Sequence, residues 1–193
     1  MFPDLTRDDV FRIETRRLWL RWPRARDAAA IVRLAGEQAV AEMTARIPHP
    51  IEPLGTDSFV IEARRANAEG ESLTMALALR SAPTALIGIV SIHADPDASG
   101  PHLGYWLGVP HWGAGLMSEA AETLVNAYFA YAGGTELTSA AITSNAASRR
   151  VLEKCGFVRQ GSARQSFPAR GGERDVDLFR LTRAGWSATR SDG

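Results

Sequence analysis

Two hydrophobic periods alternate along this chain, and the changes between them mark its elements. Around residues 17–22, Leu18 and Leu20 fall on one side and Trp19 on the other, the two-residue repeat of a strand that Pro23 then stops. Ala28, Ile31, Val32 and Ala35 recur at helical spacing, with Asp27 placed to cap or charge the first turn. A short helix is expected at 40–44. Pro48, Pro50 and Pro53 impose an extended crossing, because the residue before a proline avoids the helical region. Thr56 or Asp57 then caps a helix through Phe59, Val60, Ile61 and Ala66 that ends near Gly70.

The middle of the chain turns to strands, at 73–79 and 85–93 with a hairpin turn at 81–84, then at 103–107 after turn chemistry at 95–100. Pro110 cannot donate to a ladder and should end the strand at 103–107. Leu116, Ala120, Leu124, Ala127 and Tyr128 mark a long amphipathic helix, stopped by Gly133 and Gly134. A strand at 136–142 follows, then a helix at 146–155 with Gly156 as its cap, then an antiparallel pair at 157–166 and 175–181. Residues 1–14 read as a loose arm and 187–193 as a frayed tail. Seven strands interleaved with helices predict an α/β (α+β) fold, a mixed sheet with helices on both faces.

Bulk properties narrow the partners. The 193 residues suffice for one core and predict a single domain. Lys plus Arg equals Asp plus Glu at 22 each, so no global field draws the chain to nucleic acid or an anionic membrane. Cys155 is the only cysteine, which fits a reducing compartment. The N-terminus has no apolar signal core and no run approaches spanning length, so a cytoplasmic protein is expected. No metal is expected.

The densest candidate chemistry lies where the 103–107 strand meets the long helix. Gly113-Ala114-Gly115 forms a turn in which backbone can approach a ligand, and the helix after it points free N–H groups and a positive dipole end into that turn. Such a turn suits a phosphate or pyrophosphate, although many strand-turn-helix segments with two glycines are plain connections. It is not a dinucleotide fingerprint, since Gly113-x-Gly115-x-x-Ser118 lacks the third glycine.

A second signal decides between these readings. Asn145, Ser148, Leu152-Glu153-Lys154 and Gly156-Phe157 closely resemble a motif of the GCN5-related N-acetyltransferase (GNAT) family. Tyr105-Trp106-Leu107-Gly108, Trp112-Gly113-Ala114-Gly115 and Glu119-Ala120 resemble that family's acetyl-CoA motif, and residues 15–21 look like its first strand. The resemblance covers about residues 13–186 and is nearest to the RimJ/RimL-type ribosomal-protein N-acetyltransferases. It implies the GNAT fold, a mostly antiparallel seven-stranded sheet whose fourth and fifth strands, here 103–107 and 136–142, splay apart to admit acetyl-CoA. The implied pantetheine edge runs from Leu107 to Val109. The implied phosphate amides run through His111, Trp112, Gly113, Ala114, Gly115, Leu116, Met117 and Ser118. A backbone N–H at Trp106 or Leu107 would polarise the thioester carbonyl, and an amine would attack it directly. Cys155 is then a small buried hydrophobe, not a nucleophile.

The chain departs from the family in two places. Pro110 stands where many relatives carry Gln or Arg, and Leu152 stands where many carry a Tyr that reprotonates the leaving thiolate. Ser148 is the replacement acid, with helix capping as its alternative role. Asn145 is a cofactor partner, with a helix N-cap as its alternative. The strand at 136–142 has no carboxylate after Glu136, so His93 and His102 are the candidate bases, since an unperturbed histidine titrates near working pH. Glu119 reads as a packing or capping residue, and His49 as a neighbour of the acceptor pocket.

The resemblance therefore implies an acetyl-CoA-dependent N-acetyltransferase acting on a primary amine, either a protein N-terminus or a small molecule, and a possible homodimer. Segments 36–58 and 160–175, on the acceptor side, carry no decodable motif. Arg164, Arg170 and Arg174 of the latter, with Arg159 just before it, suit either an acidic acceptor or a solvated hairpin. The alternative function is a non-catalytic acyl-CoA-binding sensor that has lost its acid and base.

Overall fold

The computed structural model describes residues 11–94 and 100–191. The expected turn at 95–100 lies outside the described residues except for Gly100, as do residues 1–10 of the arm and 192–193 of the tail. Eight strands form one sheet: β1 (Arg12–Glu14), β2 (Leu18–Arg21), β3 (Leu73–Leu79), β4 (Ala82–Ala94), β5 (Pro101–Leu107), β6 (Glu136–Ile142), β7 (Val158–Phe167) and β8 (Gly172–Thr182). Their order across the sheet is β1-β2-β3-β4-β5-β6-β8-β7, and every neighbour is antiparallel except β5 with β6.

The strand beyond the expected seven is β1. Its residues look too polar for a strand, but Ile13 pairs with Leu20 and the Arg12 guanidinium lies over the Trp19 ring, so an edge strand forms from one apolar contact and one cation–π contact. The turn between β3 and β4 is tighter than expected. It closes at Arg80 and Ser81, and Pro83 enters β4 at a register shift, where its missing N–H is not needed.

Among the described residues, six helices cover both faces. On one lie α1 (Ala28–Ala35), the single turn α2 (Gln38–Ala41) and α3 (Pro53–Ala68), with Ile31, Leu34, Ala35 and Val60 packed on Ala76, Leu86 and Ile89. Pro53 starts α3 instead of extending the crossing, because a proline in the first turn has no N–H to waste. On the other face lie α4 (Leu116–Tyr131) and α5 (Ala146–Lys154); Leu116, Leu124 and Phe129 of α4 are buried against the sheet, each contributing roughly 1.5–3 kcal/mol. The last helix, α6 (Arg183–Ser191), occupies most of the stretch expected to fray. Trp186 anchors it by stacking on Phe129 at 5.3 Å and donating to Asn126 Oδ1 at 2.8 Å.

Asp27 does not cap its helix. It is buried and takes both terminal nitrogens of the buried Arg21 at 2.7 and 2.8 Å, tying β2 to the entry of α1. Among the described residues, no helix is long and apolar enough to cross a membrane.

Candidate active site in the cleft between β5 and β6

Strands β5 and β6 meet at a single register position, His102 opposite Thr138. Beyond it they separate, and both walls line a cleft of ≈ 1580 Å³. The chemistry of β5 explains what this gap exposes. Gly108 N–H donates to Ile87 O at 2.9 Å, and antiparallel pairs alternate in their bonding, so the peptide groups of Trp106 and Gly104 turn towards β4. The Trp106 carbonyl oxygen accordingly lies 2.5 Å from where a Cβ on Gly88 of β4 would stand. Leu103, Tyr105 and Leu107 turn their peptide groups the other way. The Leu103 carbonyl accepts from Ser139 Oγ at 2.8 Å and the Leu107 carbonyl from Trp112 Nε1 at 2.6 Å. The main-chain groups of Tyr105 and the Leu107 N–H face the gap with no strand opposite.

This corrects two expectations. Trp106 cannot present its N–H to a ligand in the gap, because that N–H points at Ile89 of β4; Leu107 is the donor that faces the opening. Within the edge from Leu107 to Val109, the Gly108 N–H is likewise committed to β4.

The glycine turn also divides in two. Val109, Pro110 and His111 make one helical turn, in which His111 N–H bonds to Gly108 O and Trp112 N–H to Val109 O. Those two amides are spent internally, contrary to the sequence reading. The N–H groups of Gly113, Ala114, Gly115, Leu116, Met117 and Ser118 have no partner among the described residues. Gly113 and Gly115 hold φ at +74° and +71°, a region costly for any residue with a Cβ, so the turn ahead of α4 favours glycine at both positions. Six free donors at a helix start fit a diphosphate.

Arg17 braces this turn from β2's side. Its terminal nitrogen donates to Ala114 O at 2.8 Å, and its Nε reaches Glu119 at 2.6 Å. Glu119 also accepts from Thr15 Oγ1 and from Arg17 N. Burial alone would raise the Glu119 carboxyl, but these hydrogen bonds and the guanidinium charge outweigh it and hold the group below the ordinary glutamate range. Glu119 thus fastens α4 to the start of β2 and leaves catalysis to others.

Asn145 Oδ1 accepts from Ser148 N at 3.0 Å and so caps α5; its remaining amide group lines the cleft. The Ser148 hydroxyl is free of capping duty and lies 2.9 Å from the phenol oxygen of Tyr105. The sequence marks Tyr105 as part of the strand and of the acetyl-CoA motif it resembles, with no role for its hydroxyl. Its hydroxyl meets Ser148 across 43 positions in the chain, a contact no local pattern could signal. His93 and His102 are directly opposed on β4 and β5, their rings 5.8 Å apart, and both line the cleft. His93 Nδ1 lies 3.1 Å from Ser91 Oγ, and His102 Nδ1 lies 3.4 Å from Thr138 Oγ1. Cys155 is buried, and burial pushes its thiol up to about 12, which leaves it inert.

The opposite end of the cleft is closed by two distant segments. The turn after β7 reaches the loop ahead of α3, where Ala169 N–H donates to Ala45 O at 3.1 Å and Arg170 to Ile47 O. His49 Nδ1 lies 2.7 Å from Gly36 O and holds the same loop to α1. The other hairpin arginines are also engaged: Arg159 with Asp177, Arg164 with Glu173, and Arg174 with the Glu173 carbonyl.

The acetyltransferase (GNAT) domain family matches residues 17–158, which include the splayed strands, the glycine turn and α5. The chain belongs to that family. Two Bacillus subtilis (strain 168) relatives named as N-acetyltransferases are similar over a shorter stretch: YdaF at 28% identity over 102 residues and YoaA at 29% over 99. The match covers 52% and 51% of this chain, and the chain spans about half the length of these relatives, 56% of each. The fold extends further. A ribosomal-protein-S5-alanine acetyltransferase from Vibrio fischeri superposes with a TM-score of 0.77 over 91% of this chain and 98% of its own, at 20% identity. RimL, a ribosomal L7/L12 alpha-N-protein acetyltransferase solved with coenzyme A, gives 0.75 over 89% and 97%, also at 20%.

Proposed function

We propose that the protein is an N-acetyltransferase that moves an acetyl group from acetyl-CoA directly to a primary amine, with a peptide N-terminus as the favoured acceptor. The parting of β5 from β6 beyond His102 and Thr138 carries this reading, because it opens one cleft lined by a strand edge, by the free-amide turn at the start of α4 and by a serine hydroxyl. When bound, acetyl-CoA supplies the thioester carbon that the amine attacks.

The amides from Gly113 to Ser118 would hold the diphosphate, with the Asn145 amide beside the pantetheine arm. The Leu107 N–H, fixed by the ladder and needing no reorganisation, would stabilise negative charge on the carbonyl oxygen. His93 or His102 would take the proton from the attacking amine. Ser148 would present its hydroxyl proton to the sulfur as the carbon–sulfur bond breaks. The favoured acceptor rests on the ribosomal-protein acetyltransferases among the relatives.

Release of free thiol from acetyl-CoA, followed against a panel of N-terminal peptides and small amines, tests this. The expected result is thiol appearing one-for-one with acetylated amine for at least one peptide. Tight coenzyme A binding with no thiol release for any acceptor would instead identify an acyl-CoA sensor.

A further inference from the structure

The α5 wall of the cleft carries two cations outside the machinery proposed above. Ala147, Ser148, Arg150, Val151 and Lys154 line the cleft, at the spacing of one helix face. Arg150 and Lys154 are four positions apart, so they stand side by side with Cβ atoms about 6 Å apart. Both are exposed, and neither has a hydrogen bond or an ion pair among the described residues. Arg149 next to them is spent elsewhere, on Asp177 at 2.9 Å and the Thr143 carbonyl at 3.0 Å. Glu153, the carboxylate of this helix, does not line the cleft and so does not neutralise the pair there.

The end of α5 lies close to the glycine turn. Burial, and after it the Glu122 carboxylate on the second turn of α4, raises the Cys155 thiol, which places the residue after Lys154 against α4. Met117 and Ser118, from the first turn of α4, line the same cleft as the two cations. We propose that Arg150 and Lys154 bind the 3′-phosphate of coenzyme A, so that the protein takes a free coenzyme A thioester and disfavours a phosphopantetheine thioester that lacks this group. This rests on the cleft holding acetyl-CoA, as proposed above.

The chemistry of the two phosphate groups separates their sites. The diphosphate is a chain of esters with a single charge on each phosphorus, which main-chain amides at a helix start can satisfy. The 3′-phosphate is a monoester, with a charge of about −1.5 to −2 at neutral pH and three strong acceptor oxygens. Such a group calls for full positive charge, as a guanidinium fork or an ammonium. The glycine turn does not supply it, because the cation that braces it, Arg17, is paired with Glu119 at 2.6 Å. Arg46, another arginine lining the cleft, belongs to the loop at the opposite end. Arg150 and Lys154 are the unspent charge on the α4 side.

Calorimetry with coenzyme A and with 3′-dephospho-coenzyme A tests this. Wild-type protein should bind coenzyme A about thirtyfold more tightly than the dephospho form, and added salt should narrow the preference. Arg150→Gln combined with Lys154→Gln removes both charges and keeps most of the side-chain length. In that double variant coenzyme A should fall to the affinity of the dephospho form, whose own binding should not change. The thermal midpoint should stay near wild type, since both side chains are exposed. Equal affinities in the wild type would overturn the inference. So would a full preference surviving in the double variant; a lowered midpoint alongside it would assign the pair to the dipole at the end of α5 instead. Failure of both ligands to bind the wild type would overturn the cofactor reading itself.

Discussion

On one side of the cleft, residues 105–118 and 145–148 offer main-chain amides and short hydroxyl or amide side chains, from segments each continuous in sequence. On the other, the loop ahead of α3 and the turn after β7 meet from positions more than 120 residues apart, held by Arg170 on Ile47 O and Ala169 on Ala45 O. On the proposed function, the first side would read a feature common to every coenzyme A molecule, its diphosphate and amide-rich arm, and backbone is suited to that because it is rigid and indifferent to side-chain change. The second would read one particular acceptor, which calls for side chains and for a shape set by two loops latching. The difference teaches that one side of this cleft is built locally in the chain, whereas the other is built only by tertiary contact.

Four perturbations sharpen or break that contrast. The largest effect should come from Gly113→Asp. A Cβ there meets nothing within 4 Å, so the fold tolerates the volume. The carboxylate would oppose the diphosphate at a cost of several kcal/mol, so coenzyme A affinity measured by calorimetry should fall at least hundredfold. Gly113→Ala, with the same positive φ but no charge, should lose far less; equal losses would mean that strain, not charge, is at issue. Next, replacing His93 or His102 with Gln should lower kcat about a hundredfold for whichever is the base and only a few fold for the other. A small effect from both would place the base elsewhere. Third, Arg170→Ala should unlatch the acceptor mouth, raising the acceptor KM about fivefold while the acetyl-CoA KM stays fixed. A matching rise in both would end the distinction between the two sides.

The smallest effect concerns acid stability. Hydrogen bonds from Arg159 and Ser162, with the nearby Arg149, hold the Asp177 carboxyl below the ordinary aspartate range and join α5 to the β7–β8 hairpin. A depressed carboxyl adds stability above its unfolded value of about 3.9, and that stability is lost as pH falls through the lower folded value. Thermal midpoints should thus decline below about pH 4 in the wild type and decline less steeply in Asp177→Asn. Parallel pH profiles would remove Asp177 from the acid response.

Legibility in the sequence follows the same division. The strand at 136–142, the helix starting at Leu116 and the glycine turn were readable because each depends on neighbours within a few residues: alternation, helical spacing, and the φ that only glycine adopts cheaply. Asn145 as a cap was readable for the same reason. The β1 strand and α6 were not, because each is stabilised mainly by partners elsewhere, Trp19 and Leu20 for one, Phe129 and Asn126 for the other. Asp27 looked like a cap and became the buried partner of Arg21 once β2 lay beside it.

The sequence by itself determined the run of elements from β2 to β8, the family and the glycine turn ahead of α4, since these are properties of short stretches and their spacing. Only the tertiary structure decided which amides of that turn remain free, which peptide groups of β5 face the gap, and that Tyr105 touches Ser148. The physical reason is that a hydrogen-bonding group is defined by what it is not already bonded to. That accounting closes only when strands have chosen their partners and helices their faces.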